Sequence, residues 1–194
     1  MNEVEHIVVG CRVPRSFFVA TGTGQSDYDI HAGSYHLALR AAGVENYNHM
    51  KYSSILPGIA REVAQPKKYT HGAVLETIAA QCDSTAGEIA TAGIIYSWLL
   101  DPKTDLRYGG LVCERAAHLP EEEVKALLET SLQEIYEDGY TQRYVLGEPH
   151  FITSSFTPEK KHGTALALIG FVDYVVPLIR NVRAASGRIP DGRR

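Results

Sequence analysis

Residues 43–57 read Gly-Val-Glu-Asn-Tyr-Asn-His-Met-Lys-Tyr-Ser-Ser-Ile-Leu-Pro and carry the strongest signal in the chain. A strand is predicted over 44–52, and it runs straight into Ser53 and Ser54. A Pro-Gly pair turns the chain directly afterwards. Serine pairs before turns most often only bond to nearby backbone. A serine held on a tight turn can also attack the carbonyl carbon of the preceding peptide with its own Oγ.

Length and composition predict a single domain over residues 1–178, followed by a flexible, Arg-rich tail over 179–194. The 194 residues are 44% hydrophobic and 22% charged, with a net charge of -4, so nucleic-acid binding is not expected. The N-terminus carries acids where a signal peptide would carry bases. No apolar run reaches the roughly 18 residues that span a membrane. We therefore expect a cytoplasmic protein without a membrane partner.

Cysteine and histidine usage gives no sign of a metal site. Cys11, Cys82 and Cys113 form an odd set without zinc-like spacing, which favours reduced, buried thiols. The histidines are scattered and form no ligand motif, so no metal is expected. The glycines of residues 22–24 are followed by no lysine and no predicted helix, which excludes the common nucleotide-binding loops.

Hydrophobic patterning predicts two helices among six to eight strands. A helix is predicted over 120–138, where glutamates follow Pro120, and a shorter one over 35–42, capped by Ser34. Residues 21–33 are predicted to form a loop. Strands are predicted over 5–11, 17–20, 44–52, 72–81, 88–99, 107–117, 143–154 and 164–175. Because the strands follow one another without regular crossover helices, we expect an α+β fold with largely antiparallel sheets.

Three blocks of the chain, residues 43–57, 71–76 and 109–114, resemble the pyruvoyl-dependent arginine decarboxylases. The predicted helix over 120–138 and a late Ala-Leu-Ala strand follow in the order of this family, and the resemblance extends over about 7–175. It implies a four-layer αββα sandwich. It also implies assembly as a homotrimer or a dimer of trimers, with each site between subunits.

The resemblance implies that the chain cleaves itself between Ser53 and Ser54. Attack by the Ser54 Oγ converts the amide to an ester, β-elimination expels that ester, and hydrolysis leaves a pyruvoyl group on the new N-terminus. The pyruvoyl group is then a covalent cofactor made from Ser54, and no PLP is needed. Asn48 matches the asparagine that positions the scissile peptide in the family.

Glu114 matches the proton donor of the family. The implied reaction is decarboxylation of a small-molecule amino-acid substrate, nominally L-arginine to agmatine and CO₂, through a Schiff base between the substrate amine and the pyruvoyl ketone. Glu114 would protonate the carbanion that remains. Burial near Leu111 and Val112 is expected to favour the protonated carboxyl that this role requires.

The expected substrate pocket departs from the family pattern on the short predicted helix. His36 stands where the family has an aspartate that pairs with the substrate guanidinium. Arg40 lies one turn later on the same face, at a position expected to be apolar. Tyr47 is bulkier than the small apolar residue expected there. Leu39 and Ile55 complete the expected substrate contacts.

These departures leave alternatives open. The enzyme takes arginine and uses Asp27 or Asp29 in place of the missing aspartate, or it decarboxylates another amino acid with an acidic or neutral polar side chain. His36 and Arg40 could also lie on a solvent face without touching substrate. A different class of function is an uncleaved, non-catalytic homologue that binds a small ligand or partner.

Overall fold

The computed structural model describes residues 9–67 and 70–178, which form two stacked β-sheets with helical segments on both outer sides. In chain order the elements are β1 (Val13–Ser26), a π-helical turn (Ile30–Tyr35), α1 (His36–Ala41), β2 (Asn48–Lys51), β3 (Ile55–Pro57), β4 (Arg61–Glu62), β5 (Val74–Thr85), β6 (Ala90–Leu100), β7 (Arg107–Ala117), α2 (Glu121–Gly139), β8 (Val145–Leu146), β9 (His150–Phe156) and β10 (His162–Val175).

The two sheets are built almost entirely from antiparallel neighbours. The first sheet has the strand order β2-β5-β10-β1-β4, and the second has the order β3-β7-β6-β8, with β9 also paired to β6. Among the described strands, only the short β2 and β4 pair in parallel, with β5 and β1 respectively. This arrangement confirms the α+β fold with largely antiparallel sheets.

Three layers of apolar side chains hold the four structural layers together. Side chains alternate along a strand, so Phe17 of β1 faces the second sheet while its neighbour Phe18 faces α1. The layer between the sheets also includes Ile78, Ile94, Val112 and Ile169. The layer under α1 includes Ala38, Val44 and Leu168, and the layer under α2 includes Ile95, Val124, Leu128 and Leu132. The result is an αββα sandwich.

The prediction of a loop over 21–33 is wrong for residues 21–26, because these residues belong to β1, which continues to Ser26. The two glycines of β1, Gly22 and Gly24, lie directly beneath the helical layer. A Cβ at Gly22 would lie 2.2 Å from the Ala38 carbonyl oxygen, and one at Gly24 would lie 2.1 Å from the Ser34 carbonyl oxygen. Glycine is needed here for close packing between strand and helix, rather than to make a turn.

The predicted cap of the short helix is also wrong. Asp29 begins the helical segment, since its Oδ1 accepts from the backbone amides of Ile30 at 2.6 Å and His31 at 3.4 Å. The π-helical turn that follows leads into α1. Ser34 is instead buried, and its hydroxyl lies 2.9 Å from the Thr164 hydroxyl. The sequence pattern placed the helix correctly, but Asp29, a residue type that often caps helices, was assigned to the loop.

Most other predictions match the structure to within a few residues. The predicted strand over 107–117 coincides with β7, and the predicted helix over 120–138 corresponds to α2. The strand predicted over 143–154 is divided into β8 and β9.

The strand predicted over 44–52 is wrong before Asn48, because residues 44–47 form a turn in which the Tyr47 amide donates to the Val44 carbonyl. The strand predicted over 5–11 is wrong for residues 10–11, since β1 begins only at Val13, and its residues 5–8 lie outside the described residues. The tail over 179–194 also lies outside them.

The cysteines differ in burial. Cys82 and Cys113 are buried as expected, whereas Cys11 is exposed, so the prediction of buried thiols is wrong for Cys11. Within the described part of the chain, no helix is long and apolar enough to cross a membrane.

Candidate active site

The Ser53–Ser54 peptide lies where the chain crosses from the first sheet to the second. The backbone amide of Tyr52 donates to the Thr77 carbonyl at 2.7 Å, which extends the pairing of β2 with β5. Two residues later, the Ser54 carbonyl accepts from the Val112 amide of β7 at 3.2 Å. The bond between the two serines is therefore anchored on both sides, by a different sheet on each side.

A tight turn is centred on Ser54. The Ile55 backbone amide donates to the Ser53 carbonyl oxygen at 2.9 Å, a bond between residues two apart, as in a γ-turn. This carbonyl is the one that the Ser54 Oγ would attack. An amide donor aimed at it can stabilise the negative charge that develops on the oxygen during attack.

Glu114 contacts the serine hydroxyl directly. The Ser54 Oγ donates to the Glu114 Oε2 at 2.5 Å, at the short end of the usual range for a hydroxyl bound to a carboxylate. Val112 and Glu114 share one face of β7, and Val112 packs into the layer between the sheets. Glu114 lies farther along that face, where it is exposed. A carboxylate in this position can accept the proton of an attacking serine.

The prediction that Glu114 is buried is wrong within the single chain. Leu111 and Val112 are buried, but Glu114 itself is exposed. Cys113, on the opposite face, packs under α2, and burial raises the pKa of its thiol to about 11, with the Glu114 charge acting in the same direction. The sequence showed two apolar neighbours, but it could not show that burial along β7 ends at Glu114.

An aromatic and ionic cluster supports the segment before the scissile bond. Tyr52 packs against Phe171, with ring centroids 5.5 Å apart. Arg12 pairs with the buried Glu76 and lies 5.1 Å from the ring centroid of Tyr174. Burial raises the pKa of Tyr174 to about 12, and the neighbouring Tyr52 acts in the same direction. No sequence motif marks these contacts, because they join residues far apart in the chain.

Asn48 lies away from the two serines. It begins β2, its backbone amide donates to the Ala73 carbonyl at 2.8 Å, and its side-chain Nδ2 donates to the Gly72 carbonyl at 2.7 Å. The extended strand from Asn48 to Lys51 spans roughly 10 Å at about 3.3 Å per residue. Among the described contacts, none joins Asn48 to Ser54 or Glu114.

The predicted substrate residues also fall into two groups. His36 and Arg40 are exposed on α1. Leu39 is buried beneath that helix, and Tyr47 packs against the same apolar cluster. Ile55 follows Ser54 directly and is 62% exposed. The structure thus places one group around α1 and the other at the start of β3, with no described contact between the two groups within one chain.

The two aspartates considered as replacements for the missing acid both accept bonds from the backbone. Asp29 caps the π-helical turn, and the Ile30 amide is the main cause that lowers its pKa. The Asp27 Oδ1 accepts from the Lys161 amide at 3.4 Å. Both side chains are exposed. Within residues 9–67 and 70–178, no group of three or more His, Cys, Asp or Glu side chains could hold a metal ion.

Comparison with known proteins assigns the family. The family model for pyruvoyl-dependent arginine decarboxylase matches residues 16–176. The pyruvoyl-dependent arginine decarboxylase AaxB of Chlamydia muridarum (strain MoPn / Nigg) is 30% identical over 187 residues, which cover 85% of this chain and 94% of that protein. The protein of the same name from Chlamydia pneumoniae is 30% identical over 188 residues, with the same coverage. The chain therefore belongs to the pyruvoyl-dependent arginine decarboxylase family.

Proposed function

We propose that this chain is a precursor that cleaves itself between Ser53 and Ser54 and then decarboxylates an amino acid, nominally L-arginine to agmatine and CO₂. The observation that carries the proposal is the 2.5 Å contact between the Ser54 Oγ and the Glu114 Oε2. It occurs on a turn in which the carbonyl to be attacked already accepts the Ile55 amide. The family and the names of the relatives support a pyruvoyl-dependent lyase.

The proposed cleavage begins with proton transfer from the Ser54 Oγ to Glu114. The oxygen attacks the Ser53 carbonyl carbon, the C–N bond breaks, and the nitrogen of Ser54 becomes a free amine while an ester joins the two residues. Loss of the Ser54 α-proton then breaks the Cβ–Oγ bond and releases the Ser53 carboxylate. Water displaces the nitrogen as ammonia and leaves a ketone at the new N-terminus. Because Glu114 is exposed, water can reach the neighbouring Ser54 for this hydrolysis.

The residues around the new N-terminus fit a pyruvoyl group. The Ser54 carbonyl is bound by the Val112 amide, and Ile55 pairs with Leu111, so the start of β3 remains in place after cleavage. A pyruvoyl ketone supplies the electron sink that loss of CO₂ requires. Glu114 lies beside that position and can deliver the proton that the substrate carbon needs.

We also propose that the enzyme is a homotrimer or a dimer of trimers with its sites between subunits. β2 and β3 are edge strands of their sheets, and the apolar side chains of Met50 on β2 and Ile55 on β3 are 51% and 62% exposed. The unpaired backbone groups of an edge strand offer a surface on which another chain can pair. A second copy on these edges would cover them, and it could place its own Asn48 beside Ser54 of the first copy.

A substrate other than arginine is an alternative that the two exposed side chains on α1 support. His36 and Arg40 are exposed, so both could face a bound substrate and attract an acidic or neutral polar amino acid. The relatives are named for arginine, which supports arginine as the nominal substrate.

The experiment that tests this proposal measures CO₂ release from L-arginine, L-aspartate and L-glutamate. We expect the wild-type protein to decarboxylate one of them and Ser54→Ala to be uncleaved and inactive. Ser131→Ala on α2 is the matched control, since its hydroxyl bonds only to the Leu127 carbonyl in the described structure. A Ser54→Ala protein that still released CO₂ would contradict the proposal. A wild-type chain that is never cleaved would indicate a non-catalytic homologue.

A further inference from the structure

Tyr52 directly precedes the bond that is to be cleaved, and it is held both by its backbone and by its ring. Its backbone amide donates to the Thr77 carbonyl of β5 at 2.7 Å. Its ring packs against the buried layer between the two sheets, where the centroid of the Phe171 ring lies 5.5 Å away at an interplanar angle of 38°. The chain is therefore fixed at two points, one residue before the carbonyl that the Ser54 Oγ would attack.

A second tyrosine lies close to Tyr52. Tyr174 follows Phe171 by three residues on β10 and packs against the same apolar layer. Burial raises the pKa of Tyr174 to about 12, and Tyr52 acts in the same direction through its charge and a hydrogen bond. The Tyr174 hydroxyl therefore stays protonated near neutral pH and can donate to Tyr52. Tyr52 thus has one aromatic neighbour against its ring and another at its hydroxyl.

An ion pair adjoins Tyr174. Glu76 on β5 is only 3% exposed, and its carboxylate pairs with Arg12. The central carbon of the Arg12 guanidinium lies 5.1 Å from the centroid of the Tyr174 ring, within the range of a cation–π contact. Because a buried carboxylate is costly without its partner, Glu76 holds Arg12 against Tyr174. These contacts leave Tyr174, and with it Tyr52, little freedom to move.

The chain after the bond is held differently. The Ser54 carbonyl accepts from the Val112 amide at 3.2 Å, which is a contact of the backbone alone. The Ile55 side chain is 62% exposed, and Ser53 is exposed as well. Among Tyr52, Ser53 and Ile55, only Tyr52 packs its side chain against the apolar layer between the sheets. The direction of the scissile peptide therefore depends on how the Tyr52 ring is seated.

We propose that Tyr52 is a positioning residue for self-cleavage. Its ring, held by Phe171 and Tyr174, sets the direction of the Ser53 carbonyl so that the Ser54 Oγ can reach the carbonyl carbon. This inference rests on the proposed function and adds to it a residue that touches none of the reacting atoms. A misplacement of about 1 Å costs about 100-fold in rate, so a contact that fixes the neighbouring residue can control cleavage.

The proposal concerns one step, the conversion of the amide to the ester. In this step the bond from the Ser54 Oγ to the Ser53 carbon forms, the C–N bond breaks, and the Oγ proton reaches the Ser54 nitrogen by way of Glu114. After elimination of the ester, Tyr52 and the pyruvoyl group lie on different chains. We therefore expect Tyr52 to control the rate of cleavage and to leave decarboxylation in the cleaved enzyme unchanged.

The rate of cleavage in freshly synthesised precursor tests this role. Cell-free synthesis supplies the precursor, and mass spectrometry follows the two fragments against time. We expect Tyr52→Ala to be cleaved about 10- to 100-fold more slowly than the wild type. Tyr52→Phe keeps the ring and should be cleaved at close to the wild-type rate. Once cleavage is complete, CO₂ release per cleaved chain should equal the wild-type value in both variants, whereas a general loss of stability would lower it.

Hydroxylamine identifies the step that the substitution affects. It attacks the ester, so that a Ser53 hydroxamate forms and the second fragment begins with an intact Ser54. The wild-type precursor should yield this hydroxamate. Tyr52→Ala should yield it as slowly as it is cleaved, because the ester scarcely forms. Hydroxamate formation at the wild-type rate in Tyr52→Ala would show that ester formation does not need Tyr52, and it would overturn the inference.

Two controls separate positioning from folding. Tyr108→Ala removes one ring of the Tyr108–Tyr144 stack, whose centroids are 4.3 Å apart, and it should be cleaved at the wild-type rate. Urea unfolding of Tyr52→Ala in the Ser54→Ala background measures the folded fraction under the conditions of the cleavage assay. If Tyr52→Ala does not fold, Phe171→Leu takes its place, because it removes the ring partner and leaves Tyr52 intact; it should also slow cleavage.

Different failures have different meanings. A folded Tyr52→Ala protein, or in its place a Phe171→Leu protein, that is cleaved at the wild-type rate would overturn the inference and leave the proposed function intact. A Tyr52→Phe protein as slow as Tyr52→Ala would also overturn it, as would slow decarboxylation by fully cleaved Tyr52→Ala. Failure of the wild-type chain to be cleaved would contradict the proposed function, and this inference with it.

Discussion

The chain before the Ser53–Ser54 bond is held in the first sheet, whereas the chain after it enters the second. The described part of the first 53 residues contributes β1, α1 and β2, and both strands lie in the first sheet. The next strand, β3, pairs with β7 in the second sheet. The comparison shows that cleavage would cut a crossover between sheets and leave every strand whole.

This difference explains how a cleaved protein can stay assembled. β1 pairs with β10 along its length, from Val13 opposite Val175 to Ser26 opposite His162, and β2 pairs with β5. Phe17 and Phe18 of β1 also fill apolar layers on both faces of the first sheet. Breaking the bond after Ser53 removes none of these contacts, so we expect the two chains to remain associated without it.

The largest effect is expected at the contact between the crossover and the second sheet. Glu114→Gln keeps an acceptor near the Ser54 Oγ but cannot take up its proton. We expect cleavage to continue slowly and turnover in cleaved protein to fall about 100-fold or more. Mass spectrometry against time gives the first rate, and CO₂ release gives the second. Glu129→Gln on α2 is the control, and unchanged turnover in Glu114→Gln would remove Glu114 from the mechanism.

A smaller effect is expected within the first sheet, beneath its helical cover. Gly24→Ala would bring a methyl group against the Ser34 carbonyl, so we expect a loss of about 1–3 kcal/mol in the free energy of unfolding. Urea unfolding of the Ser54→Ala background measures this on a single chain. Gly139→Ala at the end of α2 meets no atom within 4 Å and should cost nothing. Equal stability of the two variants would show that β1 does not need glycine.

The smallest effect is expected in β2, just before the crossover. His49 is half-buried, which lowers its pKa from 6.5, and its Nε2 lies 3.0 Å from the Val44 carbonyl. As the pH falls below 6.5, the unfolded chain binds a proton that the folded chain resists, so stability should fall. In His49→Gln this part of the pH dependence should disappear. Urea unfolding midpoints of both proteins, recorded above and below pH 6.5, measure this dependence. If the midpoint changed with pH equally in the wild-type and His49→Gln proteins, the role given to His49 would be contradicted.

The two helical covers show what the sequence could and could not predict. α2 has its own apolar stripe and an acidic first turn, so local pattern was sufficient to place it within a residue. The segment before α1 begins at Asp29, whose cap bonds are local, but it also packs on glycines of the strand beneath it, and this close approach is a tertiary feature. The glycines were therefore misinterpreted as a loop.

The candidate site also contains features that the sequence could predict and features that only the structure shows. The local sequence drew attention to Ser53 and Ser54 at the end of a predicted strand, but only the resemblance identified the bond between them as a cleavage site. The resemblance suggested Glu114, but only the pairing of β3 with β7 shows how it reaches Ser54.

The most direct test of the central claim is the intact mass of the purified protein, recorded under denaturing and then native conditions. We expect two denatured fragments that join at Ser53 and Ser54, the larger with a pyruvoyl N-terminus, and a native mass that contains both. A single uncut mass after prolonged warm incubation would contradict the claim that the contact between Ser54 and Glu114 drives cleavage.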